Sequence, residues 1–230
     1  MARSAISGGR TWPSIPRKRY RIAVLGARYS GKTTLINSWC GEWVADEADP
    51  GRTQSPKFYE KTKLITEGLR VTFTKLVDVS GSIDAWPTWE DRTKASRYVL
   101  YLVDARALAG YFARDKTRNW NRLEDDAGLV SGWLREGRVK LCLMVVTHVD
   151  QDARLEEYGQ GQYRECVMEQ LDPLILKLGG PRMVRVVVGS LKRRQDAEEV
   201  TSQILREIVS WEKSKNDWHH YAAALRRIRK

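Results

Sequence analysis

Gly26-Ala27-Arg28-Tyr29-Ser30-Gly31-Lys32-Thr33 limits what this chain can fold into more than any other stretch. A glycine, four residues and then Gly-Lys-Thr is the pattern of a phosphate-binding loop. The apolar run 21–25 ahead of it reads as a buried strand, and 34–39 behind it as the first turns of a helix. Strand, glycine-rich turn and helix together make an anion site. Backbone N–H groups along the loop, through Thr34, and the positive helix N-terminus face the phosphates. Lys32 adds a fixed ammonium for the β- and γ-phosphates, and Thr33 offers a hydroxyl to Mg²⁺.

The rest of the chain continues in the same alternation, with no internal repeat. Residues 44–56, with Pro50-Gly51-Arg52-Thr53, read as a loop. Residues 58–66 and 69–79 read as a strand pair turning at Glu67-Gly68. Residues 80–93 form a loop passing into a short helix, and 97–104 a buried strand. A loop around 107–117 leads to a helix near 120–137, followed by a strand at 139–146. Residues 163–178 read as a helix, 183–188 as the last strand, and a final helix starts near Gln195. Strands that are apolar throughout have both faces covered. The expected fold is therefore three-layer α/β, of the P-loop NTPase type. Its mixed, mostly parallel six-stranded sheet has helices on both faces, one antiparallel edge hairpin and a C-terminal helical extension. Ligand then sits at the carboxyl ends of the strands.

Net charge is +11, which resembles a nucleic-acid signal until it is located. Residues 1–21 hold +6 of it and residues 214–230 hold +4, leaving +1 for the body between. A nucleic-acid-binding domain is thereby disfavoured, while the basic tails suit an acidic protein, RNA or an anionic membrane. Residues 1–19 read as a disordered basic arm, and their Arg- and Ser-rich, acid-free composition also fits an organelle-targeting peptide. The arm has no apolar core of a secretory signal, and Ala2 excludes N-myristoylation. No apolar run approaches the ~18 residues that span a bilayer. Cys40, Cys142 and Cys166 are far apart and form no metal-ligand pair, so reduced thiols and a cytoplasmic protein are expected. At the other end, Ile204, Ile208, Trp211, Trp218, Leu225 and Ile228 recur at helical spacing with no Gly or Pro from 195 to 230. One long helix, or two joined near 215–217, is expected. The basic amphipathic part, 213–230, either folds back on the domain or docks on a partner, with peripheral membrane attachment as a third use.

Further signals fall on the loops at the ligand end. Asp78-Val79-Ser80-Gly81 follows the third strand, Thr147-His148-Val149-Asp150 the fifth and Gly189-Ser190-Leu191 the sixth, and Thr53 lies between the first helix and the second strand. This set resembles the motifs of Ras- and Arf-like small GTPases over residues 20–212, which would form the GTPase domain. The Arf-like character is strongest at Asp78–Ser82, Trp89 and the run 98–104. The resemblance implies GTP or GDP as ligand and Mg²⁺ as cofactor. It implies that Asp78 holds the Mg²⁺ shell through water and that Gly81 supplies a backbone N–H to the γ-phosphate, a close approach that needs a residue without a side chain. Asp78 also reads simply as a strand-end carboxylate capping a turn. Thr53 is the implied switch threonine, sensing Mg²⁺ and γ-phosphate, though loop Ser and Thr residues, including neighbouring Ser55, also serve as turn formers. Asp150 would accept the guanine N1–H and N2–H, and adenine lacks that donor pair. Its alternative is a helix N-cap. The Ser190 backbone N–H would meet the guanine oxygen, with Leu191 beside it.

Four positions depart from the pattern. His148 stands where the family carries Lys, so an imidazole stacks where a lysine stem would pack. Ser82 stands where active small GTPases carry the Gln that orients the attacking water, and serine is too short to reach. Arg28 and Tyr29 replace small loop residues, and Arg28 either reaches the γ-phosphate as a built-in counter-charge or points to solvent. The expected function is a switch that hydrolyses GTP slowly or with partner assistance, working through loops 44–57 and 80–95 on a regulatory or effector protein. The rival readings are a GTP-binding scaffold without hydrolysis and an ATP-dependent P-loop kinase.

Overall fold

The computed structural model describes residues 19–43, 56–66, 69–109 and 116–228. Six strands form one sheet in the order β2-β3-β1-β4-β5-β6. They are β1 (Arg19–Gly26), β2 (Lys57–Thr66), β3 (Leu69–Asp78), β4 (Tyr98–Asp104), β5 (Leu141–Thr147) and β6 (Val184–Val188). All neighbours run parallel except β2 and β3, which form the expected antiparallel edge from Lys57↔Asp78 to Thr66↔Leu69. The turn at 67–68 lies outside the described residues.

Alternation of side chains explains why the central strands carry no polar face. On β4, Val99, Tyr101 and Val103 join one core, while Tyr98, Leu100 and Leu102 join the other. β5 divides in the same way, with Cys142, Met144 and Val146 opposite Leu141, Leu143 and Val145. Burying both faces demands an apolar residue at every position. The first face is covered by α2 (Trp86–Ala95), α4 (Lys116–Glu136) and α5 (Arg154–Lys177), the second by α1 (Lys32–Cys40) and α6 (Arg194–Ile228). A short α3 (Ala105–Ala109) follows β4 directly. On the second face, Trp39 of α1 stacks on Phe73, and its indole N–H donates to Thr201 Oγ1 of α6 at 2.8 Å.

The sequence reading and the structure differ at the start of two helices. α4 begins at Lys116, ahead of the expected 120. α5 begins at Arg154, ahead of the expected 163. Inside it a break is confined to one residue, Gly159 (φ 68, ψ 167), after which the helix resumes. Asp152 launches the helix, accepting the Arg154 N–H at 3.1 Å, while its carboxylate pairs with the buried Arg154 guanidinium at 2.7 Å. Burial alone would raise the Asp152 pKa, but hydrogen bonds from Arg154 outweigh it and hold the carboxyl below its ordinary value.

α6 is one helix of 35 residues, not two joined near 215–217. Partway along, Glu212 accepts from Arg97 Nε (3.0 Å) and Nη2 (2.6 Å) and from the Tyr98 hydroxyl, fastening α6 to the start of β4.

Candidate nucleotide site

The first strand ends in the glycine-rich loop, and Gly31 launches α1 from the left-handed region (φ 83), where a side chain would be strained. Three loops converge on that glycine. A Cβ added there would lie 2.8 Å from Leu191 Cδ1, 3.7 Å from Thr147 Cγ2 and 3.8 Å from His148 Cε1. The loop after β1 and those after β5 and β6, more than a hundred residues further on, thus meet at one point. Thr147 is fully buried and its hydroxyl donates to the Ser30 carbonyl at 3.0 Å, tying β5 to the phosphate loop. Ser30 is itself buried beneath the loop.

Lys32 is 6% exposed, and its ammonium donates to the Gly26 and Ala27 carbonyls at 2.8 and 2.7 Å. Burial is the largest influence on it, partly countered by Asp78 and Asp126, and pushes its pKa down to about 8. Phosphates bound at the loop favour the charged form. Below pH 8 the lysine is protonated in both free and bound protein, and affinity is full. As pH rises through 8 the free protein loses the proton and must recover it to bind, so affinity declines. Binding of GDP at pH 8 is expected to take up about half a proton. Titration calorimetry in buffers of different ionisation enthalpy reads this directly, and identical heats in all buffers would contradict it.

Thr33 donates its hydroxyl to Asp78 Oδ2 at 2.8 Å. A hydroxyl at the start of α1 and a carboxylate at the end of β3 thus stand side by side. Two hard oxygen groups, one neutral and one anionic, suit Mg²⁺ held mainly by nucleotide and water. Among the described residues no group of three or more His, Cys, Asp or Glu is arranged to hold a metal. Thr53 and the loop 44–55 lie outside the described residues.

Gly81 follows β3 and presses on the phosphate loop. A Cβ there would stand 2.4 Å from both the Ala27 carbonyl carbon and the Arg28 nitrogen. Only glycine allows that approach. Ser82 donates its N–H to Ser80 Oγ at 3.3 Å, and the two hydroxyls lie 3.1 Å apart. Arg28 and Tyr29 are exposed at the tip of the loop, Tyr29 with φ 62. That exposure is compatible with either orientation open to Arg28.

Asp150 sits in a single 3-10 turn, Val149–Gln151, that begins at His148 (φ 57). It caps no helix; that task falls to Asp152. The Ser190 hydroxyl donates to Asp150 Oδ1 at 2.7 Å and accepts the Lys192 N–H at 3.0 Å, so the loop after β6 holds the carboxylate. His148 lies over Gly31 with Nδ1 3.0 Å from Thr147 Oγ1 and 3.6 Å from Asp104 Oδ2. Burial, acting against Asp104, keeps its pKa below the ordinary value, so the ring is neutral at pH 7.

The sequence reading did not single out Asp104, Arg106 and Gln151. Arg106 grips Asp104 through Nε (2.9 Å) and Nη2 (2.6 Å) and reaches Gln151 Oε1 at 2.7 Å. A polar residue ending the wholly apolar β4, at the ligand end of the sheet, was the available signal.

A sheet ordered 2-3-1-4-5-6, with Gly-Lys-Thr after β1, Asp-x-x-Gly after β3 and Thr-x-x-Asp after β5, defines a P-loop GTPase. The family model described as 50S ribosome-binding GTPase matches residues 21–169. The chain belongs to that GTPase family. The match runs from β1 through the Asp150 turn into α5, and Ser190 lies beyond it. No curated protein matches the chain.

Proposed function

We propose that this protein is a Mg²⁺-dependent guanine-nucleotide switch of the Ras- and Arf-like type that hydrolyses GTP slowly, or quickly only with a partner. The observation that carries the reading is the meeting of the loops at Gly31. It sets the phosphate loop, the Thr33–Asp78 pair and the Ser190-held Asp150 at one end of the sheet. Lys32 exchanges its two loop carbonyls for phosphate oxygens. The loop amides from Gly26 to Thr34 orient the chain of phosphates, and the Gly81 N–H meets the terminal one. Asp150 reads the guanine edge, with the Ser190 and Leu191 segment beside the base. Thr33, Asp78 and Thr53 are the residues that would hold Mg²⁺, which neutralises charge on the phosphate oxygens when bound.

Hydrolysis is attack of water on the γ-phosphorus, in line with the departing GDP oxygen. The chain brings electrostatic stabilisation to this step but no carboxamide to orient the water. Ser82 is short and turned toward Ser80. Arg28 is exposed at the loop tip and would act as a counter-charge only if it reaches the γ-phosphate. Single-turnover hydrolysis by the purified protein is expected well below about 1 s⁻¹, the low end of ordinary turnover, and faster with cell extract. No hydrolysis even with extract would favour the non-hydrolysing scaffold. The direct test of the reading is to denature the purified protein and identify what it carried. GDP or GTP supports it, while ATP or ADP, with tighter ATP affinity, would favour the P-loop kinase.

Loops 44–57 and 80–95 are the proposed contact for a regulatory or effector protein, with the 213–230 segment as a second contact. The globular domain is taken as 20–212, between the basic arm 1–19 and that segment. All three cysteines are free, which suits a cytoplasmic setting. Among the described residues no helix is long and apolar enough to cross a membrane.

A further inference from the structure

Asp126 is a fully buried carboxylate on α4 for which the nucleotide chemistry above has no use. Three elements enclose it. The Trp86 indole N–H, at the start of α2, donates to Oδ1 at 2.9 Å. The Tyr101 hydroxyl, on β4, donates to Oδ2 at 3.3 Å. Arg122, one turn earlier on α4, places Nε 2.9 Å from Oδ1 and its guanidinium 5.0 Å from the Trp86 ring centre. A charge pair buried in this way is rarely the most stabilising choice for a helix interface, and apolar residues of the same volume commonly do as well. What such a network does supply is one defined geometry.

The element it fixes is the one that follows Gly81. Between Gly81 and Trp86 the chain is a single tight turn, Ile83–Ala85, closed by the Ala85 N–H on the Ser82 carbonyl at 3.1 Å. A second indole secures the same segment. Trp89 is fully buried and donates to the Ser80 carbonyl at 3.0 Å. Gly81 is thus held between a rigid turn and the phosphate loop, against Ala27 and Arg28. Asp126 and Arg122 also count among the charges that act on the Lys32 ammonium.

We propose that Asp126 is a positioning residue for the γ-phosphate response: through Trp86 it fixes where α2 begins, and so where the Gly81 amide stands over the phosphate loop. Given the guanine-nucleotide reading above, it governs discrimination of GTP from GDP and not affinity for nucleotide in general. GDP lacks the group that Gly81 meets and is indifferent to the placement of α2. GTP binds fully only when the amide is in place.

The test uses the full chain, with GDP and a non-hydrolysable GTP analogue as probes. Trp86→Phe keeps a ring under Arg122 and deletes the donor. It is expected to leave GDP affinity within about threefold and to weaken the analogue, and single-turnover hydrolysis, by about tenfold, the scale of one hydrogen bond to a charged acceptor. Asp126→Asn keeps the shape and one acceptor but removes the charge, and it should shift the same ratio in the same direction by a smaller factor. In the wild type, the indole N–H resonance that Trp86→Phe removes should move when GDP is exchanged for the analogue. Parallel loss of both nucleotides, or an unchanged ratio, would assign Asp126 a purely structural role and overturn the proposal. A wild-type protein that binds neither guanine nucleotide overturns the parent reading and this inference together, an outcome distinct from variants that bind both without discrimination.

Discussion

In Asp150→Asn, affinity for GDP and GTP is expected to fall by about a hundredfold or more, while xanthosine diphosphate binds better than GDP. A carboxylate accepts two N–H groups from guanine. An amide offers one acceptor and one donor, which mismatches the guanine N2–H and matches the oxygen that xanthine carries at the same place. The site amplifies the mismatch because Asp150 has little freedom to retreat. Ser190 holds one of its oxygens at 2.7 Å and is itself held by the Lys192 N–H. Competition of GDP, XDP and ADP for the purified variant measures the effect, and wild-type GDP affinity in Asp150→Asn would remove Asp150 from base recognition.

Lys32→Met should weaken guanine-nucleotide binding by about two orders of magnitude or more, since a charge-assisted contact to phosphate has no substitute in the loop. The free protein should respond quite differently. Its buried ammonium is penalised by desolvation, as the pKa of about 8 shows, and methionine relieves that penalty. The loss of donors to the Gly26 and Ala27 carbonyls acts in the opposite sense. The two contributions are each of order 1–3 kcal/mol, so stability should change by no more than about 1 kcal/mol. Equilibrium unfolding without nucleotide, set beside nucleotide titration, separates the two effects. A large loss of stability would mean that the lysine is chiefly a brace for its loop.

The sheet was readable because its central strands have no solvent face. Each position of β4 and β5 serves one core or the other, and the sequence there is apolar without interruption. The phosphate loop, the Asp78 segment and the Asp150 segment were readable for a different reason. Close backbone approach leaves few choices of residue, and the motif positions sit at fixed offsets from strand ends. Gly81, with no room for a Cβ against Ala27 and Arg28, is the clearest case.

What sequence reasoning missed are pairings between distant elements. Nothing in Trp86 announces a bond to Asp126, forty residues on, because tryptophan at a helix start is ordinarily a packing residue. Asp152 capped α5 in place of Asp150 because the chain spends Val149–Gln151 on a separate 3-10 turn. Two acids two residues apart look alike until that turn is seen. The first turns of α5, ahead of 163, were also missed. One left-handed residue interrupts α5 without ending it.

The unbroken α6 also carries a practical consequence. It starts just past the Ser190 turn and is bolted to the start of β4 at Glu212. At 1.5 Å per residue, that bolt lies roughly 27 Å along the helix from Arg194. A purification handle or fluorophore added beyond residue 214 is therefore carried away from the base-reading end by a rigid spacer. It can monitor whatever meets the opposite pole of the molecule without standing in the path of nucleotide exchange.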